Sequence, residues 1–207
     1  MSIARPLTVM KLGGSHAFAQ HLRAWLAAIA RGAGQVVVVP GGGPFADAVR
    51  AAQAKMEFDE AAAHHMALLA MEQYGRALAS LESRFRLAAS ISAIRRLLRE
   101  GQVPVWAPTR MVLAARDIPP SWEVTSDSLA LWLARRLGGA RVVLVKHVEL
   151  GADPIRAADL VGRGTVDPAF VRFLDGVEAS IVGPAGHQVA AAAWQNGHVI
   201  GSRIALQ

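Results

Sequence analysis

The turn Lys11-Leu12-Gly13-Gly14-Ser15 constrains the fold more than any other stretch, because it joins a strand to a helix through two adjacent glycines. Residues 7–10, Leu-Thr-Val-Met, read as a short buried strand. Over 16–31, Phe18, Leu22, Trp25, Leu26 and Ile29 recur at helical spacing and predict the helix that follows. Glycines at such a junction let backbone amides come close to an anion, and the helix start adds a partial positive charge. Lys11 adds a full charge suited to a phosphoryl oxygen. Taken alone, the turn fits an ordinary strand–helix connection with a solvated lysine equally well.

The same arrangement recurs. Residues 35–39, Gln35 followed by four valines, carry the pattern of a strand covered on both faces. They enter Pro40-Gly41-Gly42-Gly43-Pro44, and a helix is predicted over 45–56. Proline on both sides stiffens this loop, which favours a shaped binding turn over a slack linker. A long helix over 59–81 can be capped by Asp59, with Ala63, Met66, Leu69, Ala70, Met71 and Tyr74 as its apolar stripe. The helix over 90–100 turns Ile91, Ile94, Leu97 and Leu98 inward, and Pro104 predicts a peripheral strand at 103–106.

Residues 107–122 read as an irregular excursion. A helix then runs to 137, with Thr125 or Ser126 as its cap and Asp127 in its first turn. The strand at 142–145 ends at Lys146. Beyond it, a short helix at 169–174, a strand at 179–182, a helix at 188–194 and a strand at 199–205 complete the chain. Strand–helix alternation of this kind predicts an α/β fold, one domain over 1–207, with a mostly parallel sheet between two helical layers. Ligand groups in such folds gather at the strand ends of one sheet edge. Lys11, the triple-glycine loop and Lys146 all fall at such ends.

Composition removes several function classes. There is no cysteine, which excludes disulfides and thiolate chemistry and fits a cytosolic protein. His64 and His65 are helix neighbours about 100° apart, so they form no i, i+4 metal pair, and no metal-ligand set is read from the sequence. The net charge of +6 comes almost entirely from arginines spread over several helices. Aromatics do not interleave with them as a base-stacking surface requires, so a field for small anions is the better reading than nucleic-acid binding. Residues 1–10 lack the apolar core of a signal peptide. Residues 179–202 are uncharged, yet Gly183, Pro184, Gly186 and His187 disqualify them as a membrane-spanning helix. Of only three lysines, Lys11 and Lys146 lie at predicted strand ends and Lys55 does not.

The ordered set Lys11-x-Gly13-Gly14-Ser15, Pro40-Gly41-Gly42-Gly43, Trp122-x-x-Thr125-Ser126-Asp127-Ser128, a strand ending at Lys146 and Gly201-Ser202-x-Ile204 resembles the amino acid kinase superfamily. That group includes acetylglutamate, aspartate, uridylate and isopentenyl phosphate kinases. The stretch from His65 through Gly75 and the stretch Gly164-Thr165-Val166-Asp167-Pro168-Ala169-Phe170 look more narrowly like the small methanofuran-pathway enzymes. Those convert an (aminomethyl)furanmethyl phosphate to a diphosphate.

The resemblance implies a three-layer αβα sandwich and phosphoryl transfer from ATP with Mg²⁺ to a small phosphorylated acceptor. It implies that Lys11 contacts the transferring phosphate, that Asp127 organises the charged groups and that Lys146 is the second cation. Gly13, Gly14 and Ser15 would lie by the nucleotide phosphates. Gly41, Gly42 and Gly43, with Thr125 and Ser126, would lie by the acceptor. Homo-oligomers are common in the superfamily. Relatives carry a Thr-Asp-Val-Asp-Gly-Val-like segment after the fifth strand, where this chain has Lys146-His147-Val148-Glu149-Leu150-Gly151-Ala152-Asp153. That departure leaves open a second reading, a nucleotide or oxyanion binder that keeps the fold without catalysis.

Overall fold

The computed structural model describes residues 6–148, 153–196 and 198–207. Strand β1 (Thr8–Leu12) leads through a 3-10 turn (Gly14–His16) to α1 (Leu22–Ala30), and β2 (Val36–Pro40) leads to α2 (Gly43–Met56). Then come α3 (Glu60–Leu81), β3 (Phe85–Ala88), α4 (Ile91–Arg99), β4 (Val103–Trp106) and α5 (Thr109–Leu113). The second half holds α6 (Ser126–Arg136), β5 (Arg141–Val145), β6 (Ile155–Arg156), α7 (Ala157–Gly162) and α8 (Phe170–Leu174). It closes with β7 (Ala179–Val182), α9 (His187–Asn196) and β8 (Ser202–Ala205).

Among the described residues the strands form one sheet in the order β3-β4-β2-β1-β5-β7-β8-β6. Every neighbouring pair is parallel except β7 with β8. Alternate residues of each central strand feed two separate cores. Val9, Val37, Val39 and Leu144 pack toward Leu129, Leu133 and Phe170. Met10, Leu12, Val38 and Val143 pack toward Trp25 and Ile29 of α1, Leu78 of α3 and Trp194 of α9. The result is the expected three-layer αβα sandwich. At roughly 1.5–3 kcal/mol per fully buried large apolar side chain, the two faces lock the register, since a slip of one residue would invert every side chain. This period of two also aims Lys11. It alternates with Met10 and Leu12, so it shares the Val9 face and points to the layer that contains α6.

Several local expectations are corrected. The first helix starts at Leu22 rather than 16, because His16 is held at the sheet end by the Val145 carbonyl and the chain crosses that edge before α1 can dock. Phe18, expected on the buried stripe, is 88% exposed in this crossing. In α3 the inward residues include His64, Leu68 and Leu78, while Met66 and Leu69 face outward. The strand at 103–106 is interior rather than peripheral. Val103 donates toward β3, so by alternation the missing N–H of Pro104 falls on the β2 side, where the β2–β4 register is a single residue pair. A proline is tolerated where no ladder bond is made. The last strand begins at Ser202, not 199. Gly201 takes φ +81°, and a Cβ there would sit 2.1 Å from the Ile181 carbonyl oxygen. Strands β3 and β6 and helices α5 and α7 had no forerunner in the sequence reading. The departure at Glu149-Leu150-Gly151-Ala152 lies outside the described residues.

Candidate active site

The side chain of Asp127 is the floor of the site. It sits in the first turn of α6, 4% exposed, beneath the ends of β1 and β5. Lys11 Nζ lies 3.0 Å from its Oδ1, and Lys146 Nζ lies 2.7 Å from its Oδ2. Parallel pairing of Leu12 with Val145 brings the two lysine-bearing strand ends side by side, which is why residues 135 positions apart in sequence share one carboxylate. The Lys146 contact is a hydrogen bond, whereas Lys11 meets Oδ1 as an ion pair without hydrogen-bond alignment.

Burial by itself would raise the pKa of Asp127, but Lys11 and then Lys146 outweigh it and hold the carboxyl below the ordinary aspartate value. Burial, reinforced by Lys11 and opposed by Asp127, pushes Lys146 down to about 8. Two cations on one anion leave the floor with a net charge of +1. In a partly dehydrated setting that charge is far more effective on a phosphate than it would be in water.

The two glycine loops meet each other. A Cβ on Gly14 would lie 2.2 Å from the Gly43 nitrogen, and one on Gly41 would lie 2.4 Å from the Gly14 nitrogen. Neither position tolerates a side chain while the loops touch. Gly13 gives room of a different kind, since a Cβ there would come within 3.2 Å of the Lys11 ammonium. Together these elements enclose a cavity of about 430 Å³. Its lining includes Lys11, Gly13, Gly14 and Ser15 from the first loop and Gly41, Gly42 and Gly43 from the second. Thr125, Ser126, Asp127 and Lys146 complete the inner wall. All the candidate site residues named from the sequence therefore line one space.

Of the outer wall, the sequence marks Trp122, in the motif before Asp127, and leaves Arg50 and Gln53 unmarked. Arg50 of α2 lies over the Trp122 ring, 4.3 Å from its centre, and Trp122 Nε1 donates to Gln53 Oε1 at 2.7 Å. His64, Leu68 and Met71 of α3 line the same side. Burial lowers the His64 pKa, and the adjacent His65 adds to this against an opposing hydrogen bond with the Ser121 backbone.

Thr125 occupies the N-cap position of α6, but its side chain does not cap the helix, and neither does Ser126. The cap comes from Asp167. Its Oδ2 accepts from the Thr125 amide (3.0 Å), the Thr125 hydroxyl (2.8 Å) and the Ser128 amide (3.0 Å), and its Oδ1 accepts from the Ser128 hydroxyl. A carboxylate at a helix N-terminus is favourable to the dipole, and this one fixes the turn that carries Asp127. The Thr125 hydroxyl is thus committed to the scaffold. In the sequence Asp167 stands within the stretch 164–170 with no role assigned to it, because a capping partner 39 residues away leaves no local signal.

A model of the amino acid kinase family matches residues 6–171. The chain belongs to the amino acid kinase family. It is a small-molecule kinase. This kinase is 25% identical over 145 residues to a [5-(aminomethyl)furan-3-yl]methyl phosphate kinase from Methanocaldococcus jannaschii, a match covering 66% of this chain and 67% of the relative. The uridylate kinase structure from Archaeoglobus fulgidus superposes with a TM-score of 0.70 at 19% identity, over 96% of this chain and all of the other. An isopentenyl phosphate kinase structure gives 0.62 at 19% identity, again over 96% of this kinase and all of that chain. At these identities the structural likeness concerns the fold. Among the described residues of this kinase, no helix is long and apolar enough to cross a membrane.

Proposed function

We propose that this kinase transfers the γ-phosphoryl group of ATP to the phosphate of a small phosphomonoester, forming a diphosphate. The observation that carries the reading is the state of Asp127. Buried, charged and engaged by two lysines, it is a poor proton acceptor. A hydroxyl acceptor needs a base to take its proton in the transition state, whereas a phosphate brings an oxygen that is already anionic. The site supplies what such an acceptor requires, which is positioning and charge neutralisation.

In the reaction an acceptor phosphate oxygen forms a bond to the γ-phosphorus while the bond from that phosphorus to the β,γ-bridging oxygen breaks. ADP carries away the electron pair. Lys11 and Lys146 face the equatorial oxygens, and the amides of the contacting glycine loops hold the chains on either side of the transferring group. Asp127 keeps the two ammonium groups from repelling each other out of position. The residues fit a nucleotide-borne Mg²⁺. Asp127, whose buried Oδ1 has no hydrogen-bond partner beyond its ion pair with Lys11, would help hold the ion. Bound there, Mg²⁺ would neutralise phosphate charge.

For the acceptor we propose an (aminomethyl)furanmethyl phosphate or a close analogue, within biosynthesis of a methanofuran-type C1 cofactor. The 25% identical relative supports this class, as does the Trp122, Leu68 and Met71 wall, which suits a small flat ring. The test is ³¹P NMR of ATP–Mg²⁺ incubations with this phosphate, its unphosphorylated alcohol, isopentenyl phosphate, UMP and acetylglutamate. A diphosphate from the furan phosphate and no product from its alcohol is the expected result. Turnover of the alcohol would overturn the oxyanion-acceptor argument, and preference for another phosphate would overturn the acceptor alone.

A further inference from the structure

Three histidines converge beside the phosphate-facing turns. His16 ends the 3-10 turn after the first glycine loop, His21 immediately precedes α1, and His147 directly follows Lys146. The cause is again the parallel register of β1 with β5, which delivers the chain after Leu12 next to the chain after Val145. His16 and His147 stack with ring centres 4.1 Å apart, and His21 closes the group at 5.1 Å from His16 and 4.8 Å from His147. One ring nitrogen of each lies within 4.8 Å of the others. Among the described residues this is the only grouping of three metal-ligating side chains.

We infer that His16, His21 and His147 form a binding site for a divalent first-row transition metal of the Zn²⁺ type, with a fourth coordination position open to solvent. The donor set argues the class of ion. Three imidazole nitrogens suit Zn²⁺, Co²⁺, Ni²⁺ or Cu²⁺ and are wrong for Mg²⁺, which takes oxygen ligands, so this site is separate from the nucleotide's own cation.

The geometry is nearly assembled. Tetrahedral Zn²⁺ with Zn–N bonds of about 2.05 Å wants its nitrogens about 3.4 Å apart, a spacing that falls between the 2.8 Å of the His16–His21 pair and the 4.8 Å within which all three lie. His16 Nδ1 and His21 Nε2 lie 2.8 Å apart in a hydrogen bond, whose single proton an ion would replace as the two nitrogens open toward it. His16 is also oriented from behind. Its Nε2 faces the Val145 carbonyl at 3.3 Å, which places the proton on Nε2 and leaves the Nδ1 lone pair for a metal. A backbone carbonyl in that role is a common partner of a metal-bound histidine. In the bound form His21 carries its proton on Nδ1, so that Nε2 is free.

Access and anchoring are both present. His16 is fully buried, whereas His21 is half-buried and His147 exposed, giving an ion a path from solvent onto a fixed first ligand. An ion here would tie the turn after β1 to the turn after β5, holding the backbone on both sides of the lysine pair.

The experiment is titration of the untagged full-length chain with Co²⁺ by visible absorption, and with Zn²⁺ against a chromophoric chelator. One equivalent, with the intense bands of tetrahedral nitrogen-coordinated Co²⁺ and a Zn²⁺-dependent rise in melting temperature, is expected. His21→Ala and His147→Ala, which leave the buried His16 in place, should each weaken Zn²⁺ binding at least about 100-fold. His65→Ala and His198→Ala should leave it unchanged, and millimolar Mg²⁺ should not compete. Binding unaffected in the His21→Ala/His147→Ala double variant overturns the inference, as does failure of the wild-type chain to bind, or equal loss in the two control variants.

Discussion

The Asp167 carboxylate accepts the Ser128 amide at 3.0 Å from a turn 39 residues further along the chain, and in doing so it closes the start of the helix that carries Asp127. Burial and the neighbouring Asp127 charge raise the Asp167 pKa, against the hydrogen bonds from Ser128 and Thr125 that lower it. The charge nevertheless stands where four donors converge. Asp167→Ala leaves those donors without their acceptor and should cost on the order of 3 kcal/mol of stability. Urea unfolding measures this. A parallel fall in kcat is expected because Asp127 loses its fixed approach to the lysines, and an unchanged unfolding midpoint would show that the cap is dispensable.

Lys11→Ala should lower kcat by about 10²–10³-fold, the effect of removing one donor aimed at developing charge in a dry site. Folding should survive, because Lys146 still neutralises Asp127 at 2.7 Å. A coupled ADP-release assay is sufficient. A folded Lys11→Ala chain with wild-type turnover would place that ammonium away from the reacting phosphate.

Lys146 predicts opposite pH trends for activity and stability. Its folded pKa is pushed down to about 8, chiefly by burial, whereas the unfolded chain keeps the ordinary, higher lysine value. Above about 8 the free enzyme loses a cation, so kcat/KM should fall as pH rises. Between the two values the unfolded chain binds more protons than the folded one, so stability should rise with pH over that same window. Lys146→Arg, which does not titrate there, should move the alkaline limb of kcat/KM upward. A limb that stays in place in the arginine variant would assign it to another group.

Gly14→Ala forces a Cβ to within 2.2 Å of the Gly43 backbone nitrogen, and backbone cannot step aside as a side chain can. The glycine loops must separate, so activity should drop at least tenfold. Gly162→Ala is the control: nothing lies within 4 Å of its Cβ position at the end of α7. Alanine there should be neutral or stabilising by up to about 1 kcal/mol. Thermal melts and initial rates on both variants check the contrast.

Trp122→Ala removes the aromatic wall on which Arg50 rests. The expected outcome is a raised KM for the acceptor with the KM for ATP little changed. An equal rise in both would place Trp122 on the nucleotide side.

Much of the architecture was legible in the chain because the signals involved are local. The valines of β2 declare a strand covered on both faces, Asp59 caps α3 through an amide three residues on, and glycines punctuate the strand ends. What misled was also local. The apolar period over 16–31 ignored the pull of the sheet end on His16, and Pro104 was read without knowing which neighbour its missing N–H would face. The short β3 and β6 carry too few residues to show a period of two, and they exist because β4 and β8 lie beside them.

By itself, then, the order of residues determined the alternation of strands and helices, the glycine turns and the identity of the two lysines and the aspartate. Only the tertiary structure decided that Lys11 and Lys146 share Asp127, that Asp167 caps α6 and that three histidines meet. The lysine pair and the meeting of His16 with His147 follow from the parallel pairing of β1 with β5, and the cap follows from the turn before α8 packing on the start of α6. A neighbour created by parallel register has no imprint on the local pattern of either partner.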